Sequence, residues 1–277
     1  MNRLTHSLQG FIRSLQISST RLFAFVEGGI DRPFFDRLLF HACDQSKIAY
    51  QITAIKEVSG SAGGKPALLN LFREFRRKGL LVTNAFGKAM ACMFFPDKDG
   101  DDFTRRRVRS AHVVYSPTYD IEGHLYCCAN MHRALADSCR ITLAQAKVLI
   151  PNGDAWLYSV VDLWKEWIAL CLISQKHGVN CGCTFDRVSD VNPDHLAPAE
   201  PTLITAYKNS LSTILGVTFQ DLDRQFLRAL QKVQNSLNDG VPLKYFKGKW
   251  LGHLMQLHLQ RQPRIPDSNI NSIGTRL

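Results

Sequence analysis

The chain has 277 residues, and the 45% that are hydrophobic suffice for one large domain or two small ones with a sizeable core. Its 34 Lys and Arg residues outnumber its 24 Asp and Glu residues, and the net charge of +10 favours an anionic partner, with nucleic acid ahead of a membrane surface.

Neither an export signal nor a membrane span is predicted. Arg13 and several polar residues interrupt the start of the chain, where a secretory signal would need an apolar core. The longest apolar segment, residues 155–174, contains Asp162, Lys165 and Glu166, and a membrane span tolerates such charges poorly. We therefore expect a cytoplasmic protein that does not enter a membrane and whose eight cysteines are mostly reduced.

Strand and helix patterns alternate in the first half of the chain. Apolar runs predict strands at residues 22–26, 50–58, 89–95 and 111–115. Helical spacing follows the first strand in "DRPFFDRLLFHA", and it follows the second strand after the glycine-rich loop "SGSAGGKP". This alternation indicates an α/β fold with a mostly parallel sheet flanked by helices, in which functional groups gather at the carboxyl ends of the strands.

Helical spacing dominates from about residue 130 onward. Trp156, Trp164 and Trp167 fit the buried stripe of one such helix better than a cofactor site. We therefore predict an all-helical C-terminal domain that serves dimerisation, partner docking or substrate binding. The predicted division is an N-terminal helical lead (1–19), a catalytic domain (20–135), the helical domain (136–263) and a tail (264–277).

Acidic residues follow three of the four predicted strands. Glu27 follows the first strand, and Asp97 and Asp99 follow the third. Asp120 and Glu122 follow the fourth. In one parallel sheet these strand ends would lie side by side, and residues two apart on an extended chain would project together. Ionised carboxylates in one place repel one another unless they take up protons or bind a cation, and an all-oxygen cluster suits Mg²⁺ or Mn²⁺.

Three stretches, "FVEGGID", "EVSGSAGGKPALLNLFREF" and "FFPDKD", stand in this order in the first half. They resemble the glutamate, the glycine loop with its helix, and the Asp-x-Asp element of the TOPRIM domain of topoisomerases, primases and OLD-family nucleases. With "YDIEGHL" following, the chain is most similar to the compact TOPRIM proteins found beside ATPase partners in bacterial anti-phage systems. The helical half carries a further Gly-Lys element of such proteins, "FKGKWLGHLM", for which the sequence offers no mechanism.

The resemblance assigns roles to individual residues. It implies that Glu27 is the catalytic general acid or base and a metal contact. It also implies that Asp97 and Asp99 are catalytic and the main Mg²⁺ ligands. Asp101 and Glu122 are further candidate metal ligands. Possible supporting residues of the acidic pocket are Gly28, Asp31, Gly64, Lys65 and Asp120.

Some of these residues have a structural alternative. Asp31 stands before a helix with Pro33 in its first turn, so it can be an N-cap. Glu122 can favour the positive end of a helix that begins near Thr118. Glu27 alone would fit a solvated turn, and its place in the ordered set is what favours catalysis.

Other motifs in the chain exclude some functions and leave one further metal site open. The run "DKDGDD" can be a polar hairpin turn, but it is not a calcium loop because its sixth and twelfth positions hold Asp102 and Val108. "GSAGGKP" lacks the spacing of a P-loop, so we do not expect ATP hydrolysis. Pro96 departs from the TOPRIM pattern and removes a backbone donor at the strand end. A zinc site of irregular spacing is a further alternative, on His177, Cys181, Cys183 and His195.

Two basic runs are candidates for nucleic-acid contacts. The first follows the Asp pair, where a nucleic acid backbone needs countercharge, although the run can equally be solvated. The second is interleaved with aromatic residues that can stack on bases or pack in the core. The candidate residues are Arg105, Arg106, Arg107, Lys247 and Lys249.

The leading hypothesis is a Mg²⁺-dependent TOPRIM nuclease, a phosphodiesterase and endonuclease that cleaves RNA such as tRNA. The resemblance implies a toxic effector of anti-phage defence, a homodimer held inactive by an ABC or OLD-type ATPase partner until infection. One alternative is a DNA endonuclease of the OLD type. The other is a non-catalytic module that binds nucleic acid or a partner protein.

Overall fold

A computed structural model of the chain describes residues 7–58, 62–85, 87–179, 192 and 194–262. The described chain divides into two compact units that are interleaved in sequence. The first unit comprises residues up to Asp97 together with Arg107–Ser116, and the second comprises Lys98–Arg106 together with the residues from Pro117 onward.

The first unit contains a four-stranded sheet in the order β2-β1-β4-β3. β1 pairs in parallel with β2 and with β4, and β3 pairs antiparallel with β4. The α/β fold with a mostly parallel sheet is therefore confirmed. The strands are β1 (Leu22–Val26), β2 (Tyr50–Ala54), β3 (Val82–Ala85) and β4 (Lys88–Phe95), and the helices are α1 (Leu8–Ile17), α2 (Arg32–Asp44) and α3 (Gly64–Arg77).

Three details of the predicted sheet are wrong. The second strand ends at Ala54 and not at residue 58, because Ile55–Glu57 form a short 3-10 helix. Residues 111–115 do not form a strand, since Val113 makes a single isolated parallel bridge to Phe94 of β4. β3 is missing from the prediction, because its sequence shows no apolar alternation. In the structure Val82 of this strand is 61% exposed. Its pairing with β4 at the edge of the sheet, rather than a local pattern, makes it a strand.

Aromatic packing holds the core of the first unit together. Phe94 of β4 is completely buried and stacks on Phe25 of β1, with ring centroids 5.0 Å apart. Phe72 and Phe75 of α3 contact the Phe94 ring edge-on at 5.4 and 6.0 Å. The three- and four-residue spacing of the α3 core residues puts them on one face of the helix, so this helix packs on the sheet by the stripe seen in its sequence.

The regular secondary structure in the described residues of the second unit is helical. The long helix α8 contributes Trp164 and Trp167, which are 2% and 0% exposed and lie in the core of this unit. The predicted buried tryptophan stripe is confirmed. The helices are α4 (Asp101–Thr104), α5 (Ile121–Cys128), α6 (Met131–Cys139), α7 (Leu143–Leu149), α8 (Gly153–His177), α9 (Pro201–Leu215), α10 (Phe219–Asn238) and α11 (Lys249–Gln260).

Capping residues at the two ends determine where α8 begins and ends. The Asn152 side chain accepts a hydrogen bond from the Ala155 amide at the first turn. Gly178 adopts φ 66° at the last turn, the left-handed conformation that ends many helices. None of the described helices is both long and apolar enough to cross a membrane.

We expect Phe94→Ala to lower the free energy of unfolding of the first unit by about 3–5 kcal/mol, because it leaves a cavity among three other aromatic rings. Urea denaturation followed by circular dichroism would measure the change. Phe40→Ala is the matched control, since Phe40 is 54% exposed, and it should alter the same free energy by only about 0.5 kcal/mol. Equal effects of the two substitutions would contradict the assigned core.

Candidate functional site

Glu27 and Asp97 meet at the carboxyl ends of two adjacent parallel strands. β1 and β4 pair in a register that sets Val26 opposite Phe95, so the residues that follow each strand emerge at the same edge of the sheet. The Asp97 amide donates a hydrogen bond of 2.9 Å to Oε1 of Glu27. Both residues are half-buried. The register of the sheet thus orients one carboxylate, and it brings together residues 70 positions apart in the sequence.

The loop that follows Glu27 is fixed by Asp31. Oδ2 of Asp31 accepts a hydrogen bond of 2.8 Å from the Gly28 amide, and its side chain makes no capping bond to α2. Asp31 therefore occupies the N-cap position of α2, but its carboxylate closes the Gly28–Asp31 turn instead of capping the helix. This turn limits the movement of the backbone immediately after Glu27.

Asp99 does not continue an extended chain from Asp97. Its backbone has φ 47°, in the left-handed region that Asp adopts more readily than most residues. Its amide donates a 2.7 Å hydrogen bond to the Tyr119 carbonyl within the second unit. The expectation that Asp97 and Asp99 project together depends on an extended chain, and the turn at Asp99 removes that argument. The role of Asp99 as a ligand stays a prediction.

Lys98 is a buried cation that the sequence pattern alone does not single out. It is 6% exposed, its Nζ donates to the Pro117 carbonyl, and Nζ lies 3.8 Å from Oδ2 of Asp102. A buried lysine has to be paired, and here a carbonyl and a carboxylate of its own unit provide the partners. The available sequence signal is the four-residue spacing of Lys98 and Asp102, with Asp101 beginning α4 between them.

The glycine loop before α3 uses left-handed backbone. Gly63 and Gly64 have φ of 84° and 73°, which other residues rarely adopt, and the Lys56 side chain leaves no room for a Cβ at Gly63. Lys65 follows with its Nζ 5.6 Å from the centre of the Tyr115 ring. The Arg107 guanidinium lies 4.7 Å from the same ring, so two cations of the first unit are held beside one aromatic side chain.

Asp120 and Glu122 are not at a strand end, because the segment before them is not a strand. Asp120 caps α5 instead, and its Oδ1 accepts a 2.8 Å hydrogen bond from the Gly123 amide. The same oxygen accepts a 2.9 Å bond from the Gly248 amide. Gly248 belongs to the "FKGKWLGHLM" element, so the structure supplies a contact for a motif that sequence alone leaves unexplained. Glu122 lies in the first turn of α5, with its Oε1 3.7 Å from Nζ of Lys249.

Burial raises the pKa of Asp120 to about 6, and the charge of Glu122 adds to the rise. Hydrogen bonds from the amides of Gly123, Gly248 and Lys249 oppose it by favouring the carboxylate. The side chain is 2% exposed. Among the described residues, Oδ2 of Asp120 has no hydrogen-bond partner. Keeping this carboxyl ionised inside the second unit therefore costs free energy.

The two basic runs differ in their surroundings. Arg107 belongs to the first unit, while Arg105 and Arg106 belong to the second, where Arg106 donates to the Lys176 carbonyl at 3.2 Å. In the second run, Lys249 has a side chain that is 56% exposed and Lys247 is half-buried. The neighbouring Tyr245 and Phe246 are 5% and 0% exposed, so core packing is their structural role.

The candidate zinc residues fall partly outside the described chain. Cys181 and Cys183 lie in a segment that the structure does not describe, as does the tail from residue 264. His177 Nε2 lies 2.8 Å from Oε1 of Gln225, and His195 Nδ1 lies 3.0 Å from Nε2 of His253. In the described part of the chain, no three or more His, Cys, Asp or Glu side chains are grouped so as to hold a metal ion by themselves.

Comparison with models of known protein families finds no match, and none of the curated proteins matches the chain. A function therefore has to be inferred from the geometry of the two units.

The raised pKa of Asp120 should make the free energy of unfolding of the protein depend on pH. Its pKa is raised to about 6 in the folded state, whereas the ordinary value is 3.8, so the folded state holds this proton more tightly than the unfolded chain does. Stability attributable to Asp120 therefore rises as the pH falls through about 6, and the gain is complete below about 4. Relative to Asp120→Asn, which cannot titrate, the wild type should gain about 2.5 kcal/mol between pH 7.5 and pH 4.

Urea denaturation of the two proteins across this pH range would measure the gain. Asp137→Asn, a change at an exposed side chain of α6, is the control and should track the wild type within about 0.5 kcal/mol. A constant difference between wild type and Asp120→Asn at all pH values would contradict the raised pKa.

Proposed function

We propose that the protein is a Mg²⁺-dependent phosphodiesterase of the TOPRIM type that cleaves nucleic acid, with RNA such as tRNA as its substrate. The observation that carries the proposal is the Glu27 carboxylate held by the Asp97 amide at the carboxyl ends of β1 and β4. Ligand and catalytic groups of parallel α/β folds are found at this edge of the sheet.

The residues at this edge suit a hard divalent cation in kind. Both side chains are carboxylates, and oxygen ligands of this type favour Mg²⁺ or Mn²⁺ over softer metals. Mg²⁺ is commonly bound by one or two protein carboxylates, with water and substrate phosphate as the remaining ligands. Glu27 and Asp97 would hold the ion, which when bound neutralises charge on a phosphodiester and lowers the pKa of a water molecule.

The chain itself would position groups and move protons. The hydrogen bond from the Asp97 amide fixes the direction of Oε1 of Glu27, so the Glu27 side chain enters the reaction already oriented. As general base, the Glu27 carboxylate would accept the proton of the attacking water, and as general acid it would return one to the leaving oxygen. The turn closed by Asp31 would keep the backbone after Glu27 in place.

Charge supports a nucleic acid substrate. The net charge of +10 matches a polyanion, and Lys65 and Arg107 place two cations in the same unit as Glu27 and Asp97. The glycine loop does not have the spacing of a P-loop, which is compatible with a separate ATPase partner supplying control of a toxic effector. A non-catalytic nucleic-acid-binding module is the competing function, and cleavage separates the two.

We expect the purified protein to cut labelled tRNA or plasmid DNA only when Mg²⁺ or Mn²⁺ is present, and EDTA should stop the reaction. Glu27→Gln keeps an oxygen for the Asp97 amide but loses the charge, and it should lower kcat at least about 100-fold while binding persists. Asp97→Asn should have a similar effect. Gel-based cleavage assays and fluorescence anisotropy would measure the two activities.

Asp44→Asn is the matched control, because Asp44 is an exposed acid at the end of α2 in the same unit, and its activity should equal that of the wild type. Metal-independent cleavage, or cleavage that survives Glu27→Gln and Asp97→Asn, would refute the proposed site. If the wild type, alone and with an ATPase partner that releases it, binds but never cuts, the binding module is the better account.

A further inference from the structure

Two helices of the second unit begin at the same buried carboxylate. Oδ1 of Asp120 accepts hydrogen bonds from the Gly123 amide in the first turn of α5 and from the Gly248 amide at the start of α11, at 2.8 and 2.9 Å. The positive ends of both helix dipoles therefore face one internal anion. The amide of Tyr119 also donates to the Leu243 carbonyl at 3.0 Å, which adds a backbone bond between the two segments just before Asp120.

Position 248 requires glycine only because the space beside its Cα cannot hold a Cβ atom. Its φ of −60° and ψ of −30° are ordinary helical values that every residue adopts. A Cβ built on Gly248, however, would overlap the amide nitrogen and the Cα of Gly123. The glycine thus lets the two backbones approach closely enough for one carboxylate to bind both amides.

The same junction fixes the backbone between the lysines that flank Gly248. Lys249 begins α11 and its side chain is 56% exposed, with Nζ 3.7 Å from Oε1 of Glu122. Lys247 precedes Gly248, and Nζ of Lys244 lies 5.5 Å from the centre of the Tyr245 ring. Three lysines therefore occur within six residues, and no acidic residue interrupts them. In the part of the chain that the structure describes, the carboxylates whose charge reaches this segment include Asp102, Asp120 and Glu122.

We infer that Asp120 and Gly248 are positioning residues that hold the Lys247–Gly248–Lys249 turn as a phosphate contact for RNA. The inference rests on the proposed nuclease function and names the part of the chain that grips the substrate. Because Asp120 already occupies the amides of Gly123 and Gly248, the ammonium groups of Lys247 and Lys249, and not the helix ends, bind the phosphates. Burial of Asp120 keeps its charge away from the RNA while it fixes the backbone between the two lysines.

Salt dependence of RNA binding tests the inference. The full chain would be titrated into fluorescein-labelled tRNA in EDTA at pH 7.5, which prevents metal-dependent cleavage, at several NaCl concentrations. The double variant K247A/K249A should bind more weakly than the wild type. Its slope of log K against log salt should be smaller by about 1.4, since each phosphate of a single-stranded region that a lysine neutralises contributes about 0.7 to the slope. K147A, at an exposed lysine of α7, should leave affinity and slope unchanged.

The positioning role has its own readout. G248A should reproduce the smaller slope although both lysines remain, because a methyl group forces α5 and α11 apart. D120A should also reduce the slope, whereas D120N retains an oxygen for both amides and should restore it. Thermal unfolding of each variant would show whether it folds, and K247A/K249A, which alters neither Asp120 nor Gly248, keeps the test decisive if G248A does not fold.

The outcomes separate this inference from the proposed function. If K247A/K249A has the slope of K147A, the lysine turn is not a phosphate contact, whatever the cleavage assay shows. If the wild type binds tRNA through these lysines but no metal supports cleavage, the nuclease proposal fails and the phosphate contact stands. Binding of duplex DNA with the lysine-dependent slope, and no binding of tRNA, would overturn the assignment to RNA.

Discussion

The parallel pairing of β1 with β4 is the constraint on which the first unit depends. In this register Val26 lies opposite Phe95, Phe25 stacks on Phe94 in the core, and the strands end at the same edge of the sheet. A slip of one residue would turn the buried rings toward the opposite face and separate Glu27 from the Asp97 amide. The energy that stabilises the core and the geometry that orients a carboxylate therefore come from one pairing.

The parts of this arrangement that local pattern determines could be predicted from the sequence. β1, β4, α2 and α3 have apolar runs or stripes of the correct period, bounded by turn residues. The parts that long-range pairing determines could not. β3 is a strand only because β4 lies beside it, and residues 111–115 have a strand's composition but pair at a single bridge. The turn at Asp99 depends on a bond to the carbonyl of Tyr119, far along the chain.

Asp120 shows the same limit at a candidate functional residue. Sequence spacing suggests a carboxylate at a strand end, and the structure places a buried cap at the start of α5. Its second donor, Gly248, is 128 residues away, and the glycine's dihedral angles give no hint of its role. The structure connects the "YDIEGHL" and "FKGKWLGHLM" stretches, because the carboxylate of Asp120 accepts hydrogen bonds from an amide in each of them. Composition and periodicity carry no information about such a pairing.

The interleaving of the two units in the sequence has a consequence for dissecting the protein. Residues 98–106 belong to the second unit, and the residues that follow them, 107–116, belong again to the first. No single cut of the polypeptide can release both units whole. A fragment ending at residue 97 lacks the segment that bridges to Phe94, and a fragment ending at residue 116 takes residues 98–106 away from the second unit. Of the two fragments that any single cut produces, at least one therefore carries an incomplete unit, so a boundary for domain expression has to be chosen for the one unit that is to be kept.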